Sequence, residues 1–177
     1  MLLSNYIRLK EHILNCIFDS IGSGGIVGVL YAPVRSINGN EYTRLSYSST
    51  SVVADNYTLH QNLLPRLGTG NTEVNADNYC LANDVTSSFS NLTATYNEVV
   101  STDTDGIPNA KIVFAIAGVN SSADSITIKE IGLYKKITFY VSGNSKQNIL
   151  FMRHVLDTPI TVAAGDSFTL SLQWIEY

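Results

Sequence analysis

The chain reads as all-β, an antiparallel β-sandwich or jelly roll carrying an N-terminal amphipathic helix, and three observations lead there. Asp166 to Glu176 alternates, with Phe168, Leu170, Leu172 and Trp174 on one side of an extended chain and Ser167, Thr169, Ser171 and Gln173 on the other. Successive strand side chains point to opposite faces, so this segment has one buried side and one wet side. Similar short segments recur between turns rich in Gly, Asn, Asp and Pro, such as Ala164-Gly165 and the stretch around Pro159. That pattern belongs to antiparallel sheets and points away from an enzyme built on βαβ units. At 177 residues the chain suits one domain, large enough to bury roughly 70% of its unfolded surface.

Taken in order, residues 3 to 21 carry a helical pattern. Leu3, Tyr6, Ile7, Leu14, Ile17, Phe18 and Ile21 recur at spacings of three and four, with Arg8, Lys10, Glu11, Asn15 and Asp19 opposite. Ser4 is a candidate cap and Gly22 a stop. The helix either lies on the sheet or docks onto another subunit. Residues 1–24 are accordingly read as a docking arm and 25–177 as the sandwich. Ile26 to Ala32 is a strand and 33 to 40 a turn-rich loop. Residues 41 to 64 hold two weak strands full of Tyr, Ser and Thr, and Leu67 to Ser90 is a long ordered loop.

Leu92 to Val100 is a strand, followed by the acidic turn Asp103-Thr104-Asp105-Gly106. Lys111 to Val119 is apolar on both faces, which predicts a mid-sheet strand covered on both sides. The polar turn Asn120 to Asp124 predicts a hairpin from it into Ser125 to Tyr134. Ile137 to Val141, Ile149 to Val155 and the C-terminal strand complete a set of eight or nine, the count of a sandwich or jelly roll.

Composition narrows the function. Charged residues are 15% of the chain, below the ~25% of ordinary soluble domains, and Ser, Thr and Asn take their place. Such surfaces are common in secreted β-proteins and in subunits that pack against neighbours. A formal charge of -4, with Lys135-Lys136 the only basic pair, argues against nucleic acid as a partner. No apolar run approaches the ~20 residues that span a bilayer, so no membrane partner is expected. Leu2-Leu3 gives way at once to Ser4, Asn5 and Arg8, which predicts synthesis in a cytoplasm without export. The sequons at Asn56, Asn91 and Asn120 then carry little weight. Cys16 and Cys80 read as buried small apolar residues rather than a disulfide.

Catalytic, metal and cofactor motifs are not found. His12, His60 and His154 lack ligand spacing, Asp103 to Gly106 lacks the carboxylates that complete a calcium loop, and Gly68-Thr69-Gly70 lacks the setting of a dinucleotide loop. Glu130 is the exception to ordinary strand chemistry. In simple register it shares a face with Ile126 and Ile128, so it points to the core and needs backbone N–H groups or an arginine as partners. Arg153 is the candidate, Gly132 marks a bulge or close backbone approach, and Glu130 is read as pinning a neighbouring loop. Tyr42, Tyr47 and Tyr57, set among Ser and Thr, are candidate contacts for a receptor or glycan, or ordinary strand residues.

Two segments together resemble a known family. One runs from Leu67-Gly68-Thr69-Gly70 to Tyr79-Cys80-Leu81 and Asn83. The other comprises Ile126-Thr127-Ile128-Lys129-Glu130-Ile131-Gly132-Leu133-Tyr134, then Arg153 to Leu156, then Pro159 to Gly165-Asp166. The order is similar to that of small β-sandwich structural proteins of tailed bacteriophages, of the head-fibre, capsid-decoration or tail-associated type. The resemblance spans residues 67 to 177. It implies a non-enzymatic virion protein, synthesised in the host bacterial cytoplasm, that contacts capsid, portal or tail subunits. It also implies a homo-oligomer, and a trimer would suit a fibre or spike. Gly68, Gly70, Tyr79, Leu81, Glu130, Gly132, Leu133, Tyr134, Arg153, Pro159 and Gly165 are the motif positions, and Tyr6, Ile7, Leu14, Ile17, Phe18 and Ile21 the docking face. A receptor- or glycan-binding module at a virion tip is the alternative.

Overall fold

A computed structural model describes residues 18–21, 25–48, 63–75, 78–102, 108–140 and 144–176. These residues form nine strands: β1 (Phe18–Ile21), β2 (Gly25–Arg35), β3 (Glu41–Ser48), β4 (Leu64–Gly68), β5 (Phe89–Thr102), β6 (Pro108–Asn120), β7 (Ile126–Tyr140), β8 (Asn144–Val162) and β9 (Ser167–Glu176). One 3₁₀ turn, Thr86–Ser88, precedes β5. All pairing is antiparallel. β1, β2, β3, β7, β4 and β8 form one sheet, and β5, β6 and β9 the other.

β7 organises the larger sheet. β8 runs along one edge of it. On the other edge its first half pairs with β4, from Glu130↔Gly68 to Tyr134↔Leu64, and its second half meets β3 at Phe139↔Leu45. The meander β1–β2–β3 therefore extends the sheet past the end of β4. The smaller sheet lies against the β4–β7–β8 portion. Phe114 and Ile116 of β6 and Leu170 of β9 join Leu67, Ile131, Leu133 and Phe151 in one buried cluster. Phe89 and Phe168 meet edge to face with ring centroids 5.5 Å apart. Burying each such side chain contributes about 1.5–3 kcal/mol, which is what holds the two layers together. The body is all-β and sandwich-like.

Several expectations change. Phe18–Ile21, assigned above to the end of a helix, is strand β1, paired with β2 from Phe18↔Gly28 to Ile21↔Gly25. Over four residues a helical and an extended reading both fit, and the glycines after Ile21 let the chain turn back onto β2. The rest of that helix lies outside the described residues, as does the turn Asp103 to Gly106. The predicted hairpin of β6 with β7 does not form, because Asn120 to Ser125 carries the chain from one sheet to the other. β6 is central in its sheet, and its buried positions alternate: Ile112, Phe114, Ile116, Gly118 and Asn120. Val113, Ala115 and Ala117 are half-buried on the outer face. Lys111 to Val119 is thus covered on one side within the described residues. The segments read separately as Ser125–Tyr134 and Ile137–Val141 are one strand through Tyr140. Leu67 to Ser90 is shorter as a loop than expected, because β4 reaches Gly68 and β5 starts at Phe89.

Candidate functional site: a buried ion pair beneath a long loop

β7 changes sides part-way along. Ile126 and Ile128 pack on the inter-sheet core, yet so do Ile131 and Leu133, an odd step further on. The ladder with β8 shifts register between Ile128 and Glu130, where Leu156 to Pro159 face the single residue Lys129. An unpaired stretch of this kind is where a proline, lacking an N–H, is tolerated, and Pro159 sits in it. The shift turns Glu130 away from the core that simple alternation had assigned it. Glu130, Gly132 and Tyr134 instead face outward, and residues 69–75 and 78–85 close over them as a third layer.

Glu130 is wholly buried there. Its Oε1 accepts the backbone N–H of Gly70 at 3.2 Å and of Asn83 at 3.0 Å. Its Oε2 accepts the Ala82 N–H at 3.2 Å and Arg153 Nε at 2.8 Å, with Arg153 Nη2 at 2.7 Å. Arg153, 1% exposed, directs its other N–H bonds into the same loop. Nη1 donates to Asn78 Oδ1 at 2.9 Å and to the Glu73 carbonyl at 3.4 Å. Nη2 donates to the Thr72 carbonyl at 3.1 Å and to Thr72 Oγ1 at 2.9 Å. A buried ion pair offsets its desolvation only when the remaining donors and acceptors are met, and here the loop meets them.

The glycines of the motif make the approach feasible. A Cβ on Gly68 would stand 2.5 Å from Glu130 Oε1 and 2.7 Å from the Asn83 carbonyl, and one on Gly70 would stand 2.6 Å from the same carboxylate oxygen. The Thr69 N–H donates to the Asn83 carbonyl and the Val85 N–H to that of Leu67, both at 2.9 Å, so the two ends of the loop run side by side. The Asn83 side chain donates to Thr69 Oγ1.

A second fastener lies beside the first. Tyr134 is fully buried with Leu81 and Leu150, and its hydroxyl accepts the Leu81 N–H at 3.1 Å. Burial pushes the Tyr134 hydroxyl well above its usual range, partly offset by that bond. Arg66 lies over the Tyr134 ring at 5.4 Å and pairs with Asp84 at 2.7 Å. Burial pushes the Cys80 thiol up, with Arg153 opposing the shift. Cys80 is half-buried. Tyr79 packs against the β2–β3 turn, where the Arg35 guanidinium lies 5.2 Å from its ring centroid.

The remaining candidates are dispersed. Leu133 belongs to the core, and Gly165 forms the β8–β9 turn with φ of 80°. Tyr42 is a core residue of β3, so it cannot serve as the exposed contact read from its Ser- and Thr-rich surroundings. Tyr47 lies in β3 opposite Ile26. Tyr57, Tyr6, Ile7, Leu14, Ile17, His12, His60 and Cys16 fall outside the described residues, and Phe18 and Ile21 are in β1. His154 is half-buried on β8.

One residue escaped the sequence reading. Asn120, treated there as a turn residue in a sequon, is completely buried. Its Nδ2 donates to the carbonyls of Asp124 and Val162 at 2.9 Å and of Ala163 at 3.1 Å. Its Oδ1 accepts from the Ser122 N–H and hydroxyl at 3.0 and 2.7 Å. It ties together two of the connections that cross between the sheets, β6 to β7 and β8 to β9. The short polar run Asn-Ser-Ser-Ala-Asp between two long apolar strands was the available signal, since Asn side chains fix such turns.

Chemically this constellation fastens. Four N–H groups, from Gly70, Ala82, Asn83 and Arg153, donate to the Glu130 carboxylate, which also forms the buried ion pair with Arg153. Among the described residues no three His, Cys, Asp or Glu side chains converge as a metal site, and no helix is long and apolar enough to cross a membrane. No protein-family profile matches the chain, and no curated protein or solved structure matches it either.

Proposed function

We propose that this chain is a non-enzymatic structural protein of a tailed-bacteriophage virion, working by contact with other subunits on the head or tail. The observation that carries the reading is the convergence of its phage-like motif positions. Gly68, Gly70, Leu81, Glu130, Gly132, Tyr134 and Arg153 come from segments far apart in the chain and meet in one clamp. The clamp ties residues 69–75 and 78–85 to β7 and β8 through hydrogen bonds, and a preorganised segment loses little conformational entropy on docking. A surface with few charges fits the same role, because charged groups are depleted at the centres of interfaces. The receptor-binding alternative loses Tyr42 to the core.

The test is to purify particles from a host carrying the gene, identify the chain by mass spectrometry, and locate it by electron microscopy. Stoichiometric incorporation is expected. Particles that assemble complete and lack the chain overturn the reading.

A further inference from the structure

Building on the assembly role just proposed, we infer that β9 is an interaction edge that pairs antiparallel with β9 of a second copy, about a two-fold axis. Among the described residues β9 has one strand neighbour, β6. The ladder between them runs through ten consecutive pairs without a bulge, from Val119↔Ser167 to Ala110↔Glu176. The Asn120 N–H donates to the Asp166 carbonyl at 2.9 Å and the Asn120 carbonyl accepts the Gly165 N–H at 2.8 Å, so Asn120 directs both groups toward β9. Hydrogen bonding alternates along an antiparallel strand. Gly118, Ile116 and Phe114 therefore bond to Phe168, Leu170 and Leu172, and Ser167, Thr169, Ser171 and Gln173 direct their N–H and C=O groups to the opposite edge.

Natural edge strands are blunted by charge, proline or bulges. Ser167 to Ile175 contains no charged residue and no proline. The chemistry of the row names the partner. Ser167, Thr169, Ser171 and Gln173 are all exposed, and hydroxyls and carboxamides each donate and accept. Such a row complements itself, whereas a charged row would repel its own copy and select an opposite one. With the axis at Ser171, that residue faces its own counterpart and Thr169 faces Gln173, the cross-strand polar pairs that stabilise sheets. The three strands of each smaller sheet then continue into those of the other, and closed two-fold pairing leaves no further β9 edge to propagate.

The experiment is sedimentation equilibrium and amide exchange on the full chain, as wild type, S171K and T169P. Lys at the axis places two ammonium groups side by side, and Pro at an outward N–H leaves the β6 ladder intact. A wild-type dimer is expected, with S171K raising its dissociation constant about tenfold or more. Amides of Thr169, Ser171 and Gln173 should exchange slowly in the dimer and fast in S171K, while those of Leu170 and Leu172 stay protected in both. A trimer, a dimer indifferent to both substitutions, or a monomer whose odd-numbered amides are already protected by its own chain overturns the inference. A β9 dimer absent from particles would sink the virion reading alone. A particle component whose self-association ignores S171K would sink the β9 pairing alone.

Discussion

Glu130 and Arg153 hold each other's charge where both side chains are buried, so removing one leaves the other uncompensated. Arg153→Ala is expected to destabilise the protein by about 3–5 kcal/mol, read as a fall in the urea midpoint. Replacing both, as Glu130→Leu with Arg153→Met, should cost less than either single change, because no buried charge remains. A double variant as unstable as the sum of the singles would show that the pair does not couple. Gly68→Ala tests the glycine cradle, since its new Cβ meets carboxylate and backbone that have no room to yield. It should behave like loss of Arg153 and not like an ordinary surface change. Asn120→Ala strips three carbonyls of their donor, with an expected loss of about 2–3 kcal/mol. The partnership of Glu130 with Arg153 was legible from residue chemistry, because a strand-borne carboxylate among apolar neighbours must find donors. Asn120 was not, because a turn asparagine looks the same whether its amide meets water or three carbonyls.

Residues 69–75 and 78–85 form a structural layer because β7 presents chemistry on both faces. Tyr134→Phe keeps the ring and deletes the acceptor of the Leu81 N–H, which should cost about 1–3 kcal/mol. Hydrogen exchange at residues 78–85 should rise while β6 and β9 stay protected. Loosening across both sheets would mean that the loop is part of the global core. Asp84 gives the same segment a pH dependence. Burial alone would raise its carboxyl above the ordinary value of 3.8, but hydrogen bonds from Thr86 and the Arg66 charge outweigh that and lower it. A carboxyl depressed in the folded state stabilises above its unfolded pKa of about 4 and stops doing so as pH falls through the folded value. Protection near Arg66 and Asp84 should therefore fade below about pH 4 in the wild type and show less of that dependence in Asp84→Asn.

The two sheets share one core, so the folded body should melt as a unit. Phe114→Ala, at the centre of the smaller sheet and 1% exposed, is expected to cost about 3–5 kcal/mol. Near-ultraviolet and far-ultraviolet signals should then shift together in a single transition. Separate transitions would make the β1–β2–β3 extension an independent unit.

Local sequence was enough to establish that the chain is built from strands, where most of them run, and that Glu130 needs Arg153 or backbone donors. Period-two alternation and the cost of a buried charge act over a few residues, so both are written in the neighbourhood of each position. Sheet membership, the side of β7 on which Glu130 lies, the burial of Tyr42 and the strand at Phe18–Ile21 were settled by folding. Each depends on which distant segment supplies the next rung of a ladder. The apolar positions of β7 step from Ile126 and Ile128 to Ile131 and Leu133 across the polar pair Lys129-Glu130, but only the ladder with β8, shifted in register opposite Pro159, puts both sets on one core and Glu130 on the other face.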